Sequence, residues 1–398
     1  MARPDRAPRP WYFRLAVWII ALGLAIAGML AIVNHGSVAA TSHVFSTTAV
    51  AVPTGEPAAT LHKVATYDGK ATLIGGVIVV DTSTGAKGVD AVTGKKAWSY
   101  ERTDLPVCAR GYNNTRVFLV YGADGLCDEA IALEASSGAR AWQRTIEADA
   151  QNSIAFGTDS MISVTTTQII AYEQLTGFAL FTLDADTGST STSGAGGSTS
   201  SGDCVFAAAS AGPIVNVLQK CRASASDPWV YALLAEDSQD GKAREVGHAV
   251  LKLANPQLVA SFLNGAGLVT DGTALYIAGG GRTDTMAVTG ISVTDASQLR
   301  VLSGGGFDLI TTGIAVYRVP PGTSAPEWQV PTSAYPTMHG AEVATISDDV
   351  VRIYAAENGT LTTQSTFADP VAVGSGTTVA AVGNLVAVSD GSHTTVYR

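Results

Sequence analysis

One ten-residue stretch, Val89-Asp-Ala-Val-Thr-Gly-Lys-Lys-Ala-Trp98, constrains the fold more than any other feature because it recurs in register. The second copy reads Leu133-Glu-Ala-Ser-Ser-Gly-Ala-Arg-Ala-Trp142, and the third Tyr172-Glu-Gln-Leu-Thr-Gly-Phe-Ala-Leu-Phe181. Aligned on Gly94, Gly138 and Gly177, each has an acid four residues before the glycine (Asp90, Glu134, Glu173). Each has an aromatic four residues after it (Trp98, Trp142, Phe181). A period near forty marks a radial or stacked β architecture in which each repeat is one small sheet. Composition agrees: charged residues are only 15% of the chain and glycines number 42, which suits tight turns between strands buried on both faces.

Within the repeat, the acid and the hydroxyl can hydrogen-bond nearby backbone, and the glycine permits positive φ. The aromatic falls on the next strand, where a large ring can pack against the neighbouring sheet. All nine positions are therefore assigned to packing between blades rather than to ligand contact.

Short Val-, Ile-, Thr- and Tyr-rich runs between turn signals predict strands near 73–80, 117–121, 161–165 and 168–172. Residues 34–57 read as a spacer, with a first strand at 48–52 as the alternative, and only 243–253 has a helical flavour. Residues 184–203 are Gly, Ser and Thr with no apolar anchor and are expected to form a loop between blades. Later copies are fainter. Strand-and-turn patterns precede Gly241, Gly322, Gly359 and Gly391, and 291–295 is similar. Gly94 to Gly391 makes seven intervals averaging about 42 residues, which counts eight four-stranded blades, or seven if the short 298–330 region is not a full unit. The last strand is one short of a blade, and a strand from residues 44–66 would complete it and remove an open edge.

Leu15–Val33 is 19 residues without a charge, about 28 Å as a helix, which is the thickness of a hydrocarbon core. Arg3, Arg6, Arg9 and Arg14 precede it, so the positive-inside rule places the N-terminus in the cytoplasm and the rest outside. The run exceeds the 7–15 residues of a signal-peptide h-region. The expected organisation is a cytoplasmic tail (1–14), one transmembrane helix (15–33), an extracytoplasmic linker (34–57) and an all-β propeller (58–398). Net charge is −10, and the tail and span hold four arginines against Asp5, so the remainder carries −13. Such an acidic surface excludes nucleic acid as a ligand class.

The motif Asp90-Ala-Val-Thr-Gly-Lys-Lys-Ala-Trp98 resembles the Asp-Ala-x-Thr-Gly-x-x-x-Trp signature of the PQQ-like (quinoprotein-like) β-propeller repeat. With its N-terminal anchor the chain also resembles membrane-anchored propeller proteins of actinobacteria. The repeat family implies a seven- or eight-bladed ring. It does not imply bound quinone, because its members include the non-enzymatic outer-membrane assembly scaffold of Gram-negative bacteria. The family's quinone-dependent dehydrogenases carry adjacent cysteines, and this sequence has none; nor has it a Cys-x-x-Cys-His haem site.

Four cysteines follow the span, and three pairings are possible. Local pairing, Cys108 with Cys127 and Cys204 with Cys221, keeps each bridge inside one blade and is preferred. Asp124, Asp128 and Glu129 lack the glycine and final glutamate of a calcium loop and read as a solvated turn. The six histidines have no zinc spacing, no Gly-x-Ser-x-Gly elbow is present, and the glycine turns at 265–267 and 279–281 open no helix that could hold a phosphate. No catalytic residue, cofactor or metal is expected.

The function this supports is a non-enzymatic protein-interaction scaffold at the cell membrane, binding an envelope or secretion protein. The alternative is a small-molecule or glycan sensor, with Trp229 and Trp328 as the tryptophans left for it. A quinone-dependent oxidoreductase ranks last.

Overall fold

The computed structural model describes residues 18–22, 40–148, 154–157, 159–165, 168–184, 204–211, 214–221, 226, 230–239, 242–280, 284–374 and 376–398. Among the described residues of the ring the fold is all-β, interrupted by a short 3-10 turn at Ala296–Gln298. Strands are grouped in antiparallel sheets whose order follows the chain.

Sheet 1 holds Ala71–Ile74, Val77–Thr82, Gly85–Asp90 and Lys96–Arg102. Sheet 2 runs from Val107–Tyr112 to Arg140–Thr145, sheet 3 from Ile154–Phe156 to Ala179–Asp184, and sheet 4 from Cys204–Ala211 to Lys242–Val250. Sheet 5 runs from Gln257–Ser261 to Thr285–Val288, and sheet 6 from Arg300–Gly304 to Trp328–Pro331. A nine-stranded sheet completes the set. It is two halves, antiparallel except for Thr60–Leu61 running parallel to Leu361–Phe367, joined by a two-residue parallel contact, Tyr335 and Pro336 against Thr378 and Val379.

From sheet 2 onward, the first strands of successive sheets touch, and Thr378–Val382 touches Ala71–Ile74, so the order closes on itself around an axis. This is a β-propeller arrangement. Alternating chain direction places the first-to-second and third-to-fourth turns on one face, the turn face. The second-to-third turns and the connections between sheets lie on the other, the connector face.

The cores lie between sheets, not within any one of them. Trp98, Tyr100, Leu119, Tyr121, Ile131 and Leu133 are fully buried between sheets 1 and 2, and the same layering recurs around the ring. Both faces of each inner strand are covered, so a run such as Val117–Tyr121 reads as continuously apolar.

The strand expected from the N-terminal part to complete the last unit is Lys63–Asp68, antiparallel to His393–Tyr397. Several other expectations need correction. Residues 48–52 form no strand; Thr41–Val44 does, pairing with Lys96–Arg102 as a fifth strand of sheet 1. Part of the expected linker 34–57 is thus docked on the ring. The run expected at 73–80 is a hairpin broken at Gly75-Gly76. Residues 242–250 are strand despite their Ala, Lys, Arg and Glu content, because pairing with Val230–Gln239 overrides helix propensity. Residues 291–295 lie in a connector and do not pair. Gly391 lies in a second-to-third turn, since the last unit takes its fourth strand from the other end of the chain.

Among the described residues no helix is long and apolar enough to cross a membrane. The expected span 15–33 falls outside the described residues except for 18–22, which is helical with Trp18, Ile19, Ile20 and Leu22 exposed. The insertion 184–203 also falls outside them, apart from Asp184.

Candidate functional site

The repeated motif forms the third-to-fourth turn of its sheet and the start of the fourth strand. In the first copy the Asp90 carboxylate accepts the N–H groups of Val92 at 2.9 Å and Thr93 at 3.0 Å. Burial opposes its ionisation, but these donors outweigh it and hold the carboxyl below its ordinary value. The other two acids act differently: Glu134 pairs with Arg116 at 3.0 Å, and Glu173 accepts the Thr176 hydroxyl at 2.5 Å.

Past the turn, the fourth strand carries a one-residue bulge at Ala97, Ala141 and Leu180 in turn, so the following residue is aimed at the next sheet. Trp98 lies over Gly138, where an added Cβ would meet the ring at 2.4 Å, and its Nε1 donates to the Ala135 carbonyl at 2.8 Å. Trp142 repeats this one sheet on, with a Cβ at Gly177 meeting its ring at 2.7 Å and Nε1 donating to the Gln174 carbonyl at 2.9 Å. Phe181 is buried against Val215, Val217 and Leu234 of sheet 4. Gly94 is not brought against any ring; the space beside it is open. Trp328, left by the sequence as a loose ligand candidate, lies over Gly359 at 2.8 Å in the same manner, although its Nε1 reaches no acceptor. Trp229 lies outside the described residues.

Sequence reasoning missed the charged partners of this packing. Arg102 is 1% exposed and bridges Asp104, at 2.6 Å, to Glu129, at 2.5 Å, with its guanidinium over the Tyr121 ring. Glu129 is therefore not part of a solvated turn: it opens the strand Glu129–Glu134 and anchors a buried arginine. Tyr112 donates to Asp81 across sheets 1 and 2, and burial raises both groups above their ordinary values. None of these residues repeats at a fixed offset, so periodicity could not have found them.

Cys108 and Cys127 form a disulfide inside sheet 2 with Cα atoms 6.0 Å apart. The second expected bridge involves Cys204, whose side chain lies outside the description; its backbone stands directly opposite Cys221 in register. Among the described residues no three His, Cys, Asp or Glu side chains converge as a metal would need.

Two surfaces remain. A cavity of about 430 Å³ on the axis is lined by first-strand and adjoining turn residues, among them Tyr112, Asn113, Phe156, Ser261 and Met338, with Arg300 its one charged lining residue among those described. The second is the turn face. Residues 45–57 cross it as a strap, with Ser46 N–H donating to Ser137 at 2.8 Å and Val50 N–H to Ser136 at 2.9 Å. The strap passes so close to two hairpin turns that a Cβ at Gly76 would meet the Ala51 carbonyl at 2.0 Å, and one at Gly383 the Pro53 carbonyl at 2.2 Å. Around it Phe45, Val92, Leu175 and Phe178 stand exposed.

Residues 87–221, about a third of the chain, match the family model described as outer membrane protein assembly factor BamB. That stretch holds all three strong motif copies, and they are copies of the PQQ-like propeller repeat that their residues resemble. No curated protein matches the chain. Among solved structures, BamB from Moraxella catarrhalis is 14% identical over 85% of this chain and 98% of that one, with a TM-score of 0.41. The computationally designed Ika8 protein is 13% identical over 86% and 100%, with a TM-score of 0.47. AztD from Citrobacter koseri is 10% identical over 79% and 88%, with a TM-score of 0.45.

Proposed function

We propose that this chain is a membrane-anchored, extracytoplasmic propeller of eight blades that serves as a non-enzymatic protein-interaction scaffold in envelope assembly or secretion. The observation that carries the reading is the match of 87–221 to a family described as an outer membrane protein assembly factor. The blade count takes sheets 1 to 6 as one blade each and the nine-stranded sheet as two. The motif residues Asp90, Gly94, Trp98, Glu134, Gly138, Trp142, Glu173, Gly177 and Phe181 are assigned to blade packing and turn formation, and Cys204 to a bridge with Cys221.

A turn face with Phe45, Leu175 and Phe178 exposed supports protein contact, since large apolar side chains are unfavourable in water unless a partner covers them. The exposed apolar helical residues 18–22 support the anchor. In-cell crosslinking of the full chain followed by mass spectrometry tests the scaffold reading. An envelope or secretion protein enriched over a control that carries only residues 1–40 supports it, and no enrichment removes it. The axial cavity favours a second reading, a small-molecule sensor, which a thermal-shift screen of the ring against envelope sugars and quinones would separate from the first.

A further inference from the structure

We propose that the ring is held with its connector face toward the membrane and its turn face, with the strap and the exposed aromatic rings, turned away from it. The inference rests on the anchor reading above and adds to it which surface a partner can reach.

Thr41–Val44 runs antiparallel to Lys96–Arg102, with Thr41 opposite Arg102 and Val44 opposite Ser99. Lys96–Arg102 descends from the motif turn to the connection between sheets 1 and 2, so the strand at 41–44 must climb the opposite way. Its lower end is pinned there, because the Thr103 N–H donates to the Ala40 carbonyl at 3.0 Å. Arg102 N–H donates to Thr84, in the second-to-third turn of sheet 1, at 2.9 Å, which fixes the same level. The chain therefore reaches the ring on the connector face and crosses to the turn face only after residue 44.

Six residues, 34–39, separate residue 40 from the end of the apolar run at Val33. Fully extended they reach roughly 20 Å. That only equals the height of a six-residue strand and leaves nothing for the turns that top it or for the path around the rim, so the tether keeps the anchor on the connector side. The connector face also carries exposed acids at Asp104, Asp124, Asp348 and Asp390. Exposed Lys70, Lys252 and Arg300 share that face, so no single-sign charge draws it to a headgroup layer, and the tether, not adsorption, sets the orientation.

The test uses the full chain in vesicles of neutral and anionic phospholipid with an energy-transfer acceptor on the headgroups. No described cysteine is free, so a maleimide donor reports an introduced cysteine. Ser83→Cys places it on the connector face of sheet 1 and Thr93→Cys on the turn face of the same sheet, both at exposed positions. Transfer from position 83 is expected to exceed that from 93 by about twofold or more, given about 20 Å between them. Inserting about 20 Gly/Ser residues after Ala39, which adds roughly 25 Å of reach, should erase the contrast. Equal or reversed transfer in a chain that resists carbonate extraction overturns the orientation while leaving the anchor standing. A chain that carbonate strips from the vesicles overturns the anchor and the orientation with it.

Discussion

Sheets 1 to 3 and sheets 4 to 6 solve the same problem, holding one twisted sheet against the next, with different chemistry. In the first group an indole crosses each junction, stacks on the next turn's glycine and donates to a backbone carbonyl. In the second, the bulge of sheet 4 falls at Val246 and the residue that follows, in the place of Trp98, is Gly247, with nothing beside it. The apolar layers persist there, and polar groups, buried or half-buried, stand in for the indole. Asn216 donates to Ser261 at 2.8 Å across sheets 4 and 5, and the Leu263 N–H donates to Asp308 at 2.8 Å across sheets 5 and 6. A buried indole removes roughly 150–250 Å² from water and needs little else. A buried hydrogen bond contributes about 1 kcal/mol net and penalises any mismatch. The tryptophan junctions should therefore tolerate changes of condition that the polar junctions do not.

The largest expected effect is at the first group. Trp98→Ala should lower unfolding free energy by about 3–5 kcal/mol, read from urea transitions, because the side chain is fully buried and its cavity cannot collapse between two sheets. A loss under 1 kcal/mol would remove the indole from the role given to it. A matched glycine pair sharpens the point. Gly94 and Gly138 have nearly the same φ, +69° and +71°, so alanine costs each about 1 kcal/mol of backbone strain. Only Gly138→Ala also drives a Cβ into the Trp98 ring, and it should cost at least about 2 kcal/mol more than Gly94→Ala. Equal costs would mean that the motif glycine serves the turn alone.

This contrast also explains what the sequence could show. The indole junctions need one residue type at one offset from a bulge, so they repeat and are legible at Trp98 and Trp142. The polar junctions need only some donor facing some acceptor, and Asn216, Ser261 and Asp308 share no offset or residue type. The phase fades for the same reason: sheets 4 and 5 carry no aromatic at that offset, Trp328 stands six residues after Gly322 instead of four, and Gly391 belongs to a turn of a different class. The strap was illegible because its main anchors are backbone groups meeting glycines and turn carbonyls, which leave no periodic side-chain trace.

The polar group should reveal itself through pH. Burial raises the Asp308 carboxyl above its ordinary value, against the opposing donations from Ser303 and the Leu263 N–H. A carboxyl that binds its proton more tightly when folded stabilises the fold below the ordinary carboxylate value. That contribution is lost as pH rises through the raised value. Asp308→Asn should flatten this window, so that the difference in melting temperature between the two proteins changes as pH rises from the ordinary carboxylate value through the raised one and is constant beyond it. Trp142→Ala, tested alongside, should shift the whole profile downward without changing its slope. A slope unchanged in Asp308→Asn would show that the buried carboxyl does not titrate in this range.

The smallest effect concerns the seam where the two chain ends meet. Lys63–Asp68 has its bulge at Val64, so Ala65 stands where Trp98 and Trp142 stand in their own sheets, facing the open space at Gly94. An indole there would stack on Gly94 and reach the Ala91 carbonyl, the counterpart of Ala135 and Gln174. One obstacle is visible: Ala65 pairs with Val396, whereas Trp98 pairs with Gly88 and Trp142 with Ala132. Ala65→Trp alone should thus be neutral or slightly destabilising, and Val396→Ala alone should cost about 1–2 kcal/mol as a buried truncation. Together they should be more stable than the sum of the singles by about 1 kcal/mol, read as the coupling term of a double-mutant cycle. Additive values would mean that the seam is held by the strap alone, through Ala51 over Gly76 and Pro53 over Gly383, with no vacant indole site to fill.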